Sequence, residues 1–467
     1  MENVKDLVSK ALDEALKLGA EFADARIQSY EYELITYDNG SLREHSYNRR
    51  AGVGFRVIYQ GAVAYSSTTD LSREALLEAV RRAFSSAKAL SEYPGEKVKL
   101  AEYPAVKAVA RSHYVVDPFQ VGEEKLEIAK TVNQEALQVK GVVSAITRMG
   151  FQRDKRIIVN SEGLEVTVEV VLSGLSQASV ARSDKGLEYA SDYDSRTAGF
   201  EYIRETDWVE MAREVSRLAV TASKAEVPKG GSYDVILEPR MVGLLLHEAF
   251  GHASEGDLVT TGASILEGLK GRRVASELVT IIDDGLVSGG YYVPYDDEGV
   301  EKKKVYVVDK GVLNNYLTDR ASAAKLGQQP TGNGRVMSFQ NPVIVRQTNY
   351  YMEPGDYRIE ELLEDVDYGI YATSKGAKGG QVDPGMGTFT FSAGVSWLVE
   401  KGKITKPLRG VNLSGQILDV LSKIDAVGRD FEVETSVFGG CGKSGQLVRV
   451  GTGGPHVRVR GLSVGGR

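Results

Sequence analysis

Residues 239–252 read PRMVGLLLHEAFGH, and 239–251 are the longest helix candidate in the second half of the chain. The segment Met241–Leu246 is entirely apolar or glycine. A helix that is apolar over most of its surface is typical of a buried helix, so we expect this one to be embedded in its domain. Its polar end, which begins at His247, would then face a site, because an unpaired buried glutamate at position 248 would be costly.

His247 and His252 stand five residues apart, with Glu248 directly after the first. This pattern resembles the metalloprotease motif H-E-x-x-H lengthened by one residue. In a regular α-helix the longer spacing would turn the two rings about 140° apart. A π-bulge or an early helix end would realign them, and Gly251 supplies backbone freedom just before His252. The alternative is a pair of hydrogen-bonded histidines under a sheet, with Glu248 pointing to solvent.

Two histidines leave a catalytic zinc ion one protein ligand short, because such a site ordinarily has three protein ligands and a water. Three residues could supply the third ligand. Glu255 and Asp257 are close in sequence, whereas Cys441 is distant and lies in a glycine-rich loop. A thiolate suits Zn²⁺ or Fe²⁺. The alternative for a lone cysteine, a small buried apolar residue, fits poorly with a loop of glycines and a lysine.

The composition excludes several classes of protein. The chain has 467 residues, of which 42% are hydrophobic and 26% charged, as expected of a folded protein with a sizeable core. Its net charge of -7 disfavours nucleic acid as a partner. A single cysteine excludes an intrachain disulfide. No run of about 18 apolar residues occurs, so we expect no membrane span, and the charged amphipathic start predicts a cytoplasmic protein.

Hydrophobic periodicity divides the chain into two halves. It predicts helices at 3–18, 70–87, 124–137 and 208–225, with strands and hairpins at 25–37, 50–66 and 141–181. Strands at 305–308, 343–351, 388–391 and 395–400 dominate the second half. The charged, proline- and glycine-containing segment 226–231 is the best linker signal. We therefore predict an α+β fold with an N-terminal helix-and-hairpin α+β domain at 1–226. A C-terminal domain at 227–467, dominated by antiparallel sheet, would carry the metal-site helix.

Five ordered motifs in the second half resemble the TldD branch of the TldD/PmbA family of metalloproteases. They are HEAFGH at 247–252, DDEG at 296–299, PTGNGR at 330–335, GGQVD at 379–383, and CGK at 441–443 with GQ at 445–446. The first half contributes GAEFAD at 19–24 and its layout of helices and hairpins.

The resemblance implies a peptidase of unstructured peptides or unfolded segments, with a dimer enclosing the metal site. It implies that His247, His252 and Cys441 bind the metal, Zn²⁺ or Fe²⁺, and that Glu248 is the general base. The partner would be an identical chain or a related TldE (PmbA) subunit, which lacks the metal motif. The alternative is a regulatory binding protein with a structural metal, since the family was once described as modulating DNA gyrase. Structural zinc sites usually have four protein ligands, so three named ligands favour catalysis.

Other polar residues admit weaker interpretations. The segment 296–299 could line a substrate passage, although an acidic turn between strands is the better expectation. Arg335 could hold a peptide carboxylate or, preferably, an internal acid. The remaining histidines, His45, His113 and His456, have no partner at metal-ligand spacing and are expected at the surface or in turns.

Overall fold

The N-terminal half is built on one long sheet whose two faces have different partners. A computed structural model describes residues 2–466. The strands are β1 (Phe22–Asp38), β2 (Ser41–Tyr59), β3 (Ala62–Thr68), β4 (Lys107–Arg111), β5 (Val142–Asn160), β6 (Glu165–Ser183) and β7 (Gly186–Arg196). Their order is β3-β2-β1-β5-β6-β4, and β7 pairs with β6 beyond the end of β4. All pairs are antiparallel except β4 with β6.

Helices cover one face of this sheet. They are α1 (Glu2–Lys17), α2 (Arg73–Ser91), α3 (Glu124–Leu137), α4 (Glu201–Glu205) and α5 (Trp208–Lys224). Helices α1 and α2 cover one end of the strands, and α3 and α4 with the start of α5 cover the other. Asn39 and Gly40 both have positive φ and close a hairpin between β1 and β2.

The C-terminal half is rich in short strands. They are β8 (Gly231–Leu237), β9 (Ile281–Asp283), β10 (Val305–Asp309), β11 (Val312–Leu313), β12 (Gly334–Arg335), β13 (Ile344–Val345), β14 (Asn349–Met352), β15 (Tyr368–Ala372), β16 (Gly379–Asp383), β17 (Thr388–Ser392), β18 (Ser396–Glu400), β19 (Lys403–Leu408), β20 (Val411–Gln416), β21 (Ile424–Val427), β22 (Glu432–Thr435), β23 (Cys441–Lys443), β24 (Gln446–Val448), β25 (Gly451–Gly454) and β26 (Val457–Gly466). The helices are α6 (Pro239–Leu245), α7 (Gly256–Val259), α8 (Arg320–Leu326), α9 (Ile359–Glu364) and α10 (Ile417–Ser422).

These strands form two main sheets with α6 buried between them. The larger has the order β16-β17-β20-β26-β8-β15-β18-β19, with β21 beside β26, and the smaller has the order β11-β10-β9-β14-β25-β22. Most pairs are antiparallel. Helix α6 approaches β25 so closely that a Cβ at Gly243 would lie 2.5 Å from the backbone nitrogen of Gly453. The predicted embedding of this helix and the α+β fold class are both confirmed.

The uncovered face of the N-terminal sheet packs against the C-terminal half. Apolar residues of β5 and β6 form one buried cluster with Tyr291, Val293 and Val437. The division at 226/227 falls between α5 and β8, and we keep it as a proposal. Within residues 2–466, every helix is too short or too polar to cross a lipid bilayer.

Candidate metal centre

A π-helical segment brings the two motif histidines together. Residues Leu246–Gly251 continue α6 as a π-helix, and His252–Ser254 follow as a 3₁₀ turn. A π-helix places residues five apart on the same side, and the ring centroids of His247 and His252 are accordingly 5.2 Å apart. The predicted realignment is confirmed.

Gly251 is needed for a different reason from the predicted one. Its φ of -61° is ordinary helical geometry, so no unusual backbone conformation calls for glycine. Instead, the buried amide of Gln347 donates to the carbonyl of His247 at 3.0 Å, and a Cβ at Gly251 would lie 2.2 Å from Oε1 of that same amide. Glycine therefore lets Gln347 reach the π-helical segment.

A short hairpin brings Cys441 to the histidines. Strands β23 and β24 pair through a turn at Ser444 and Gly445, both with positive φ. The guanidinium of the buried Arg346 donates to the carbonyl oxygens of Cys441 at 2.5 Å and Gln446 at 3.1 Å, which fixes the hairpin. Cys441 Sγ consequently lies 3.2 Å from His252 Nε2.

The candidate ligand atoms of His247, His252 and Cys441 all lie within 4.8 Å of one another, and all three residues are buried. Tetrahedral zinc places nitrogen and sulfur ligands roughly 3.5 Å apart, so this group has the size of a metal site. His247 Nδ1 is buried without a hydrogen-bond partner in the described chain, as expected of an atom that a metal ion would satisfy. The residues present therefore fit a bound metal ion, and their role as ligands stays a prediction.

Neighbouring charges favour a thiolate at this position. Burial alone would raise the pKa of Cys441, but His247 and His252 lower it to about 5. Burial would lower the pKa of His252, yet Glu255 and Cys441 raise it to about 11. The pKa of His247 is also raised, against its burial, by Cys441. Without metal, the thiolate is thus stabilised by protonated imidazoles, whose protons a metal ion would displace.

Glu255 and Asp257, the other predicted candidates for the third ligand, lie on a different side of the site. Glu255 Oε2 is 3.1 Å from His252 Nδ1, whereas Cys441 contacts Nε2 of the same ring. Lys443 Nζ lies 2.8 Å from Glu255 Oε2 and 2.7 Å from the Asp257 carboxylate. Both acids are therefore bound to other groups of this chain.

A cavity of about 340 Å³ opens beside the three candidate ligands. His247, Cys441 and the half-buried Glu248 line it. Residues 191–193 of β7 form part of its wall, and so does Gly379 of the edge strand β16. Both halves of the chain thus shape the space next to Glu248, and we call this space the His247 cavity.

The acidic motif at 296–299 lies in the joint between the two halves. Glu298 is 2.7 Å from Arg56 of β2, and Asp297 is 2.6 Å from Arg156 of β5. Asp296 accepts hydrogen bonds from backbone N–H groups, including that of Gly334 at 2.9 Å. All three acids are buried. We call Asp296, Asp297 and Glu298 the acidic joint. The expectation of an acidic turn holds, but the charges of Asp297 and Glu298 are paired with arginines of the N-terminal sheet.

Two of the weaker expectations are wrong. The guanidinium of Arg335 is buried and donates to the carbonyl oxygens of Gln347 and Arg449, both at 2.7 Å, rather than to an acid. His456 is half-buried, with Nδ1 2.7 Å from Asp430 and Nε2 3.0 Å from the Tyr371 hydroxyl. By contrast, His45 and His113 are exposed as expected.

Three profiles of one protein family match most of the chain. Residues 230–466 match the PmbA/TldA metallopeptidase C-terminal domain, residues 23–87 match domain 1, and residues 121–222 match the central domain. The chain belongs to the PmbA/TldA metallopeptidase family, also written TldD/PmbA. As a member of this family, it is a metalloprotease, and the predicted family and enzyme class are confirmed.

Individual relatives agree with this assignment. A metalloprotease of Methanocaldococcus jannaschii is 37% identical over 96% of this chain and 98% of its own length. A zinc metalloprotease TldD homolog of Saccharolobus solfataricus is 31% identical over 98% of this chain and 99% of its own. The crystal structure of TldE from Thermococcus kodakarensis has the same fold, with a TM-score of 0.81 and 18% identity over 98% of this chain and all of that one.

Proposed function

We propose that this chain is a metal-dependent peptidase that cleaves unstructured peptides, with His247, His252 and Cys441 as metal ligands and Glu248 as general base. The observation that carries the proposal is a group of three candidate ligands beside a cavity that a carboxylate also lines. Catalytic zinc sites keep one position open, whereas structural sites are closed by four protein ligands. This argues against the alternative of a regulatory protein with a structural metal.

Three acids of the described chain line the His247 cavity, and Arg240 pairs with two of them, Asp192 and Glu434. Glu248, which directly follows His247, is therefore placed to act on a water molecule there. A bound metal ion would lower the pKa of such a water and polarise a peptide carbonyl. Glu248 would take up the proton released as the water attacks, and would then deliver it to the leaving amine. Its neighbours Leu246, Ala249 and Phe250 are buried in the hydrophobic core, which anchors the backbone at Glu248.

Zinc is the metal we propose. Two imidazoles and a thiolate are donors that suit Zn²⁺, and Fe²⁺ is the alternative. The name of the Saccharolobus solfataricus relative also specifies zinc.

The edge strand β16 supports an extended peptide as substrate. This strand pairs only with β17 in its sheet, as far as residues 2–466 describe it, and its first residue lines the His247 cavity. An extended peptide can add to such an edge through backbone hydrogen bonds, which hold it with little demand on its sequence. In a folded protein the backbone is held in its own secondary structure and cannot extend into the cavity, so we propose that native globular proteins are not cleaved.

We further propose that the active species is a dimer that encloses the site. The partner is either a second copy of this chain or a TldE-type subunit, the class of protein that the Thermococcus kodakarensis structure represents. A cytoplasmic location remains a prediction.

The test combines elemental analysis with a cleavage assay. The purified chain, alone and mixed with a TldE-type partner, is given a disordered peptide and a native globular protein, before and after chelation. We expect about one zinc per chain, cleavage of the peptide only, loss of cleavage with chelator and recovery on adding Zn²⁺. Cleavage that persists in the metal-free protein would refute the proposal, and rapid digestion of the native protein by a monomer would refute the enclosed site.

A further inference from the structure

A buried ion-pair cluster lies on the Nδ1 side of His252. Glu255 is fully buried, and its Oε2 atom is 3.1 Å from His252 Nδ1. Lys443 Nζ lies 2.8 Å from the same oxygen and 2.7 Å from both oxygens of Asp257. Two carboxylates against one ammonium leave a net negative charge behind the imidazole, so the cluster favours a cation on the far side of the ring.

We propose that Glu255 and Lys443 are positioning residues for the metal site: Glu255 orients His252, and Lys443 holds Glu255 and the Cys441 hairpin in one arrangement. This inference rests on the proposed function, because it takes His252 and Cys441 as ligands. It adds two residues that no motif spacing singles out as partners.

The first step concerns the tautomer of His252. An ionised carboxylate has no proton to donate, so its contact with Nδ1 requires the ring to carry hydrogen there. When a metal ion displaces the second proton of the ring, Nε2 is the atom left with a lone pair, and Nε2 lies 3.2 Å from Cys441 Sγ. Carboxylates in this position fix the orientation of a metal-binding imidazole and raise its basicity.

The second step concerns the distance between the imidazole and the thiolate. Lys443 follows Cys441 by two residues on β23, so both side chains project from the same face of the strand. Its ammonium also donates to the carbonyl of Val345 on β13 at 3.0 Å. One ammonium therefore joins the segment after His252 to the strand that carries Cys441, two regions almost two hundred residues apart in sequence.

The experiment measures metal affinity rather than turnover. Metal-free protein is titrated with Zn²⁺ against a chromophoric chelator, and with Co²⁺ to record the thiolate-to-cobalt absorption band. Because residues that orient a metal ligand typically contribute 10–100-fold to affinity, we expect Glu255→Gln and Lys443→Met each to weaken Zn²⁺ binding about 10–100-fold. The double variant should bind Zn²⁺ as tightly as the single variant with the lower affinity, since the two residues act as a unit.

Two comparison variants separate positioning from general stability. Lys443→Arg keeps the charge and should recover most of the affinity. Lys125→Met removes a buried ion pair in the N-terminal half, that of Lys125 on α3 with Glu33 on β1 at 2.5 Å, and should lower the free energy of unfolding without changing Zn²⁺ affinity. If folded Glu255→Gln and Lys443→Met bind Zn²⁺ as tightly as the wild type, the inference is overturned, whereas the proposed function is not affected. If the wild-type chain binds zinc and the variants weaken it, but no peptide is cleaved, the inference stands and the proposed function falls.

Discussion

The metal centre and the acidic joint differ in how their buried polar groups are satisfied. In the acidic joint, Asp297 and Glu298 meet arginines of the N-terminal sheet, and Asp296 accepts backbone hydrogen bonds. In the metal centre, His247 keeps an unpartnered buried nitrogen next to a cavity. Most buried polar atoms have a hydrogen-bond partner within the protein or bind an ion or a water molecule. The comparison teaches that the acidic joint is satisfied within the chain, whereas the metal centre combines an unpartnered nitrogen with two further candidate ligands and a cavity.

The largest expected effect is on Glu248. Glu248→Gln keeps the shape of the side chain but cannot take up a proton, so peptide cleavage should fall about 10²–10⁴-fold. The zinc content should stay at that of the wild type, because Glu248 is not a proposed ligand. Both quantities are measured on the same preparation, by peptide cleavage and by elemental analysis. Loss of zinc together with activity would move Glu248 into the ligand set.

Substitutions in the acidic joint should change the stability of the chain rather than its metal binding. Arg56→Met would leave the buried carboxylate of Glu298 without its arginine partner, and removing one member of a buried ion pair costs about 3–5 kcal/mol. The exposed pair of Arg43 and Asp38 supplies a matched control: Arg43→Met should change the free energy of unfolding by less than about 1 kcal/mol. Denaturant unfolding measures both variants. Loss of zinc from folded Arg56→Met would contradict the view that the acidic joint stabilises the fold without contributing to metal binding.

A smaller, pH-dependent effect is expected at Asp319, beside the acidic joint. Burial and the neighbouring Glu298 raise the pKa of Asp319 to about 6. Because this pKa lies above that of the unfolded chain, about 3.9, the stability that the protonated form contributes is complete below pH 4 and is lost as the pH rises through 6.

Asp319→Asn should remove this dependence, since asparagine is an equally good N-cap. Relative to the wild type, the variant should gain about 1–3 kcal/mol in free energy of unfolding between pH 4 and pH 8. Parallel denaturant titrations at the two pH values test this. If the difference in free energy of unfolding between wild type and variant is the same at both pH values, Asp319 ionises normally in the folded chain.

The smallest expected effect is at the histidines outside the motif. His113 is exposed and remote from the motif in sequence, so His113→Ala should leave zinc content and cleavage at wild-type values. His456→Ala should also keep its zinc, although loss of the contacts with Asp430 and Tyr371 should lower the stability. Elemental analysis checks both variants, and a zinc deficit in folded His113→Ala would contradict the assigned ligand set.

Sequence patterns predict the residues of the metal site better than the contacts that hold those residues in place. The H-E-x-x-x-H spacing predicted a π turn, and the family resemblance predicted Cys441 as a ligand. Both predictions depend on histidine and cysteine, residue types that few purely structural positions require. The roles of Gly251 and Arg335 could not be predicted, since each depends on a contact with Gln347. The arginine partners of Asp297 and Glu298 lie more than 140 residues away on strands of the N-terminal sheet, and no local pattern encodes such a pairing.

The most direct test of the central claim is X-ray absorption spectroscopy of the zinc-loaded chain. The account predicts one sulfur ligand at about 2.3 Å and nitrogen ligands at about 2.0–2.1 Å. Since Cys441 is the only cysteine of the chain, a sulfur ligand within one chain identifies it, and Cys441→Ser should lose that signal and most of the metal. A zinc shell of nitrogen and oxygen alone, with Cys441→Ser binding zinc as tightly as the wild type, would contradict the account.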